Sequence, residues 1–373
     1  VLEDTHWIDA LSHDLLEEIA NSIEYLPVLI ILTMRNTEKI QQQEARVSKL
    51  PFYSSIELTP LTQDDLVLLA EFKLERFADG DRDPEITQML AQRIAQQAEG
   101  NPFYLEELAN YVGNEAGANV NLGELSNLAL PTSLQGLVLS RLDQLPERPK
   151  TLLKVASVVG RVFHASWLEG IYPELGATQE ILEDLQLLNR QSFTVYDPAE
   201  GEDTYYFRNM ITRGVIYDSL LHRMRTALHE QTGEFLEATY EEEQDQYLDL
   251  LAYHYEHGLD ENKKRYFLRR AGEFAQDSYA NQAAISYFTK VLPLLPKAGQ
   301  IDIMHKLGEV EKLIGHWEDA DKYFLESLEL AQQLDDSAAV GRSQLAAGEL
   351  QRLQGHYTEA LTWFERARFV FEQ

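Results

Sequence analysis

The chain has no cysteine in 373 residues, which excludes disulfide scaffolds and thiolate-bound zinc and makes a reducing cytoplasm its default setting. Basic residues are scarce. With 32 Lys and Arg against 62 Asp and Glu, the formal charge is −30, which repels phosphate backbones and disfavours nucleic acid as a partner. Long apolar runs are missing: the most apolar stretch, Val28 to Leu32, falls far short of the roughly 18 residues that a membrane helix needs. No segment has the form of a secretory signal. Gly-x-x-x-x-Gly-Lys-Ser/Thr occurs nowhere, so these residues hold no phosphate-cradling P-loop. What is present, 44% apolar and 10% aromatic residues, suffices for two or three domains of ordinary size. The opening at Val1 and the stop at Gln373 inside a helical pattern lead us to expect a piece of a longer protein.

Self-similarity is the strongest positive signal. Gly315-His316-Trp317-Glu318-Asp319-Ala320-Asp321-Lys322-Tyr323-Phe324 and Gly355-His356-Tyr357-Thr358-Glu359-Ala360-Leu361-Thr362-Trp363-Phe364 lie 40 residues apart. Leu307-Gly308 and Ala347-Gly348 repeat the same offset, and an earlier copy (Ala271-Gly272, Ala284, Tyr287-Phe288) is offset by 36. A period slightly above 34 is that of the helix–turn–helix tetratricopeptide (TPR) unit. Small residues at Gly272, Gly308 and Gly348, then Ala284, Ala320 and Ala360, let paired helices approach closely, and Phe288, Phe324 and Phe364 are expected to fill the groove between units. Residues 265–373 therefore read as TPR-like repeats, and Phe369, Val370 and Phe371, without a polar cap, imply further repeats. The aromatic surface around Trp317, Tyr323, Tyr357 and Trp363 is the candidate protein-binding face.

Residues 131–210 read as short helices (Pro131 to Arg141, Pro146 to Val159, Gln179 to Asn189) followed by a hairpin of Phe193 to Tyr196 and Thr204 to Phe207. That order suggests a winged-helix domain. Seven Lys/Arg against eleven Asp/Glu argue against DNA contact and for a packing or hinge role. Residues 211–264, with Ile211, Val215, Ile216, Leu220, Leu221 and Leu228 at helical spacing, read as a helical linker into the repeats.

At the N-terminus, Val1-Leu2-Glu3-Asp4, a helix over about Leu11 to Ile23 and the apolar run Pro27 to Arg35 give strand, helix, strand, the fragment of a parallel sheet over residues 1–60. Two acids after an apolar strand can hold Mg²⁺ on nucleotide phosphates and orient a water, and an arginine on the neighbouring strand can neutralise γ-phosphate charge. They also suit a plain polar strand end. Four blocks in order resemble signal-transduction ATPases of the STAND class: Leu2-Glu3-Asp4 with His6, Trp7 and Asp9; Leu32-Thr33-Met34-Arg35; Leu58-Thr59-Pro60-Leu61; and Gly100-Asn101-Pro102-Phe103-Tyr104-Leu105-Glu106-Glu107-Leu108. Tyr206-Phe207-Arg208-Asn209-Met210-Ile211-Thr212-Arg213, with Tyr217 and His229 downstream, is similar to the family as well, although Asn209 stands where its pattern has histidine.

The resemblance covers nearly the whole chain and is nearest to the ATPase-plus-TPR region found behind class III adenylyl/guanylyl cyclase domains. It implies a mostly α architecture: the C-terminal remnant of a P-loop α/β domain, a helical lid over 61–130, a winged helix, then an α-solenoid. It implies ATP with Mg²⁺ in the intact parent, the metal held through Glu3 and Asp4, Arg35 acting beside them, and Gly100, Asn101 and Pro102 near the adenine. Without a P-loop the chain alone is not expected to bind ATP. The expected function is a regulatory ATPase module that couples nucleotide state to a TPR arm and controls an effector in the same polypeptide, such as a nucleotidyl cyclase or kinase. A passive TPR adaptor with a degenerate nucleotide fold is the alternative.

Three other groupings read as structural. Asp79, Asp81 and Asp83 resemble a calcium loop, but Pro84 takes the glycine position and Leu90 the twelfth. His254 and His257 share a helix with no further ligand nearby in sequence. Glu241 to Asp245 reads as a solvated acidic stretch, with a basic partner surface as the alternative.

Overall fold

The computed structural model describes residues 1–2, 5, 10–23, 25–34, 47, 49–75, 84–115, 133–199, 201 and 203–372. They form two compact units, Val1–Leu61 and Thr62–Gln373. The chain is mostly α, with one small sheet among the described residues and a TPR-like solenoid at its C-terminus. No helix among the described residues is long and apolar enough to cross a membrane.

In the first unit, helix α1 (Ala10–Ser22) follows a short extended segment that runs parallel to residues 31–33. Leu2 bridges Leu32, with Leu2 N donating to the Ile31 carbonyl at 2.8 Å and Thr33 N to the Leu2 carbonyl at 2.9 Å. A helix between two parallel segments is the crossover that parallel pairing demands. The run from Val28 is not buried, however: Leu29 is 82% exposed and Val28 54%. Among the described residues its backbone pairs with Leu2 and Thr5, but pairing in the plane of a sheet does not cover side chains, which project from its faces.

The second unit opens with α2 (Gln63–Glu75), α3 (Pro84–Ala98) and α4 (Pro102–Glu115). Thr62 and Asp65 cap α2 reciprocally, through a 2.5 Å hydroxyl–carboxylate bond and two backbone bonds at 3.3 Å. Leu66, Ala70 and Leu74 line one face of α2 at helical spacing and are fully buried, as are Leu90, Ile94, Leu105, Leu108 and Val112 of the other two helices.

Next come α5 (Leu134–Asp143), α6 (Glu147–Val159), β1 (Val162–His164), α7 (Ala165–Ile171), α8 (Thr178–Arg190), β2 (Thr194–Tyr196) and β3 (Thr204–Phe207). Ser133 caps α5 through the Gly136 amide at 3.1 Å. The hairpin expected over 193–207 is present, and β1 extends it to an antiparallel sheet of order β1-β3-β2, with Val162 opposite Tyr206 and Thr194 opposite Phe207. Three-residue β1 and the seven-residue α7 are too short to announce themselves by periodicity. Phe163, Phe193 and Phe207 sink from the sheet into a core that also takes Leu152, Leu168, Leu185 and Ile216.

Residues 211–264 are helical, as expected, in several successive pieces. Helix α9 (Met210–Ser219), capped by Asn209 through the Ile211 amide at 2.7 Å, gives way at Leu220–Leu221 to α10 (His222–Thr239), a 3₁₀ segment (Glu241–Tyr247) and α11 (Leu248–His257). The acidic stretch is solvated, Glu241, Glu242, Glu243 and Asp245 being exposed, while Arg270 pairs with Asp245 and donates to Gln244 at 2.8 Å.

The solenoid comprises α12 (Glu261–Asp277), α13 (Asn281–Val291), α14 (Lys297–Leu313), α15 (Trp317–Gln333), α16 (Ser337–Leu353) and α17 (Tyr357–Phe371). The three pairs share one joint. The amides of Ala280, His316 and His356 donate to the carbonyls of Ala275, Glu311 and Gln351 at 2.8–2.9 Å, and those of Ala284, Ala320 and Ala360 bond the first set of residues at 3.0 Å. Phe288, Phe324 and Phe364 each lie on the glycine of the partner helix, so close that a Cβ on Gly272, Gly308 or Gly348 would sit 2.4–2.6 Å from a ring carbon. The close approach expected at the glycines is thus present, but the rings expected in the groove between units lie on the glycine of their own pair, because a residue without Cβ leaves the room there.

Candidate functional site

Glu3, Asp4 and Arg35 lie outside the described residues, as do Asp79, Asp81 and Asp83. The residues flanking the two acids are placed. Thr5 donates from its amide to the Thr33 carbonyl at 2.9 Å and from its hydroxyl at 3.1 Å, which together with the Leu2 pairing sets two parallel segments side by side.

The Gly100-Asn101-Pro102 turn joins α3 to α4. Glu99 and Gly100 take positive φ (49° and 86°), ending α3 with a left-handed step that glycine adopts without strain. Asn101 then caps α4, its Oδ1 accepting from the amides of Phe103 at 3.0 Å and Tyr104 at 3.2 Å, while Leu105 N bonds the Asn101 carbonyl at 3.1 Å. Proline at the first helical position has no amide to satisfy. The opening amides of α4 are therefore engaged, and what the turn offers to solvent is the exposed Asn101 and Pro102. Such a surface suits contact with a flat apolar group better than with a phosphate.

On the solenoid, the four predicted aromatics fall into two equivalent pairs, Trp317 with Tyr357 and Tyr323 with Trp363, each 40 residues apart. Trp317 and Tyr357 open helices α15 and α17 and are exposed, whereas Tyr323 and Trp363 are half-buried. Arg366 stacks over the Trp363 ring at 5.0 Å. In the first repeat the equivalent tyrosine, Tyr287, is occupied internally, donating to Asp249 at 2.8 Å.

One ligand-like cluster at the same joint went unread in the sequence: Glu311, His316 and Asp319 offer three potential ligand atoms within 4.8 Å of one another. His316 Nδ1 lies 2.9 Å from Glu311, and His356 Nδ1 lies 2.9 Å from the neutral Gln351 one repeat on. Because the ring keeps its place when the carboxylate is replaced by an amide, the contact is a joint of the repeat.

A second cluster unites distant parts of the chain. His229 of α10 meets His254 of α11, Nδ1 to Nδ1 at 3.0 Å, and its Nε2 pairs with the Tyr217 hydroxyl at 3.0 Å. His257 stacks on the same ring at 4.9 Å. Burial, reinforced by the neighbouring histidines and by Arg213 and Arg225, lowers His229 to about 3, and burial lowers His254 to about 3. Both rings are neutral at pH 7, so of the apposed nitrogens one donates and the other accepts, according to tautomer. In sequence His254 and His257 had no further partner within reach; the fold supplies His229 from 25 residues upstream of His254.

Comparison with known proteins agrees with the repeats. Residues 300–373 match the tetratricopeptide repeat family model. An uncharacterized protein of Rhizobium meliloti (strain 1021) is 26% identical over 231 residues, 61% of this chain and 21% of its own length. The chain thus spans about a fifth of that relative. The crystal structure of a Signal Transduction ATPase with Numerous Domains (STAND) protein with a tetratricopeptide repeat sensor, from Pyrococcus horikoshii, aligns over 96% of this chain and 64% of its own, with 12% identity and a TM-score of 0.41.

Proposed function

We propose that this chain is the lid, transmission and sensing portion of a regulatory nucleotide-dependent module, with ATP and Mg²⁺ held in part by Glu3, Asp4 and Arg35 and the adenine resting near Gly100, Asn101 and Pro102. Residues 131–210 are read as a winged-helix domain that serves as a hinge, and the TPR arm as the site of a protein partner around Trp317 and Tyr357. The effector, a nucleotidyl cyclase or another enzyme domain, would belong to the same polypeptide. One observation carries the reading: the turn before α4, the three-stranded domain and the repeats follow one another inside a single compact unit, so the turn proposed to meet a base and the repeats proposed to meet a partner belong to the same unit. The turn supports it further, since its amides are engaged and its exposed proline suits a nucleobase.

For such a module to switch, each nucleotide state must contact two arrangements differently. The test is ATP·Mg²⁺ binding and hydrolysis by the natural polypeptide that carries this sequence, unmodified and with Asp4→Asn or Arg35→Ala. Loss of hydrolysis in both variants is expected. Unchanged binding and turnover in both would remove the site assignment, and a polypeptide that binds no ATP at all would leave the passive TPR adaptor as the better reading.

A further inference from the structure

We propose that Glu106 and Glu107, adjacent on α4, form a two-sided ionic clamp that makes the helical bundle of residues 62–115 and the three-stranded domain move as one. Both lie just inside α4, which begins at Pro102 of the turn. Neighbouring residues on a helix point about 100° apart, so the two carboxylates grip different elements.

Glu107 is buried and pairs with Arg141 of α5, whose side chain is 1% exposed. Arg141 does not stop there. Its Nη2 donates to the Gln191 carbonyl at 2.5 Å, just past the end of α8, and its guanidinium lies 4.4 Å from the centre of the Phe193 ring, at the entry to β2. A continuous buried path thus runs from α4 through Arg141 to the hairpin. Glu106 faces the other way: it accepts from Lys73 of α2 at 2.6 Å and lies 3.6 Å from Arg208, the residue after β3. Bundle and sheet are tied at both ends of the hairpin.

Physical chemistry says what such a pair is for. Burial pushes the Glu107 carboxyl above the usual carboxylate range, against the pull of Arg141. A buried ion pair is a poor source of net stability, because desolvation offsets its attraction, but it fixes a relative geometry that apolar contacts leave looser. The apolar core centred on Phe163, Phe193 and Phe207 draws its buried side chains from residues 138–228, and the charged contacts of Glu106 and Glu107 tie the bundle to the elements that surround it. The clamp follows from geometry alone; its use to pass on a nucleotide signal rests on the preceding section.

Because the chain has no cysteine, spin labels can be placed at Gln88→Cys on α3 and Gln179→Cys on α8, both exposed, and the distance between them read by pulsed electron resonance without nucleotide. One narrow distance is expected in the otherwise unmodified chain. Glu107→Gln is expected to widen it about twofold or to split it, as a two-state joint would, and Glu106→Gln to widen it less. Should Glu107→Gln fail to fold, the exchange Lys73→Glu with Glu106→Lys restores the bond to α2 while setting a second positive charge beside Arg208, and the distance should still broaden. A distribution as narrow as the parent's in Glu106→Gln and in every folded Glu107 or exchange variant overturns the clamp. Since no nucleotide is present, failure of ATP binding leaves this result untouched, whereas a clamp that holds while ATP·Mg²⁺ shifts nothing in the natural polypeptide counts against the nucleotide reading alone.

Discussion

The repeats and the joint at α4 solve the same problem, holding helices at a set distance and angle, in opposite ways. In the solenoid each helix pair is held by a phenylalanine ring on a glycine, with the same backbone bonds recurring at Ala280, His316 and His356. Contacts are short-range in sequence, apolar and periodic. At α4 the contacts are charged, singular and distant: Glu107 reaches Arg141 across 34 residues, and Arg141 reaches Gln191 across 50. Local repetition gives an arm whose geometry is the sum of many equivalent small contacts. A few long-range charges give a joint whose geometry depends on each one.

That contrast is open to breakage. The largest effect belongs to the joint: Arg141→Met leaves Glu107 buried without its partner and is expected to cost about 3–5 kcal/mol, whereas pairing it with Glu107→Leu recovers most of the loss. Urea unfolding of the single and double variants decides this, and equal losses in both would mean that shape, not charge, matters there. Second comes the solenoid: Gly308→Ala places a methyl 2.4 Å from the Phe324 ring and should cost about 1–3 kcal/mol by overpacking, although alanine is the better helix former. A gain in melting temperature would show that the ring moves aside freely.

A third effect is one of pH. The folded-state values of His229 and His254, lowered to about 3, lie below the ordinary 6.5. The unfolded chain therefore takes up protons first as pH falls, so their contribution is complete above pH 6.5 and is lost progressively toward 3. Between pH 6.5 and 5.5 the pair should cost about 2 kcal/mol. His229→Gln with His254→Gln should flatten the slope by that amount, and an unchanged slope refutes the assignment. The smallest effect is local: Tyr279 holds φ of 58° at the position that Gly315 and Gly355 fill in the later repeats, and it is 71% exposed. Tyr279→Gly should stabilise by roughly 0.5–1 kcal/mol, read as a small rise in melting temperature; a fall would mean that the ring packs productively.

Much of the fold was legible. The helices expected from Pro131, Pro146 and Gln179 begin at Leu134, Glu147 and Thr178, and at the first two a serine cap and a proline act on their own neighbours. The hairpin strands were visible by alternation; β1 was not, because three residues carry too little pattern and its pairing with β3 is decided 40 residues away. The run from Val28 to Leu32 looked buried by composition and is largely exposed, since apolar character states a preference that neighbours must fulfil. Of the candidate site, the helix start at Asn101-Pro102 was readable as turn chemistry, but the destinations of Glu106 and Glu107 were not. A glutamate on a helix surface looks the same in sequence whether it meets water or a buried arginine.

By itself, the sequence determined the repeat period, the small residues at which paired helices approach, the helix starts and the absence of any cysteine or phosphate-cradling loop. Each of these depends on residue size, backbone conformation or spacing within a few turns. Only the tertiary structure decided which acid faces which base, that His229 meets His254, and that a third strand completes the sheet. Those are meetings between segments dozens of residues apart, and their energies follow from distance and burial, which exist only once the chain has folded.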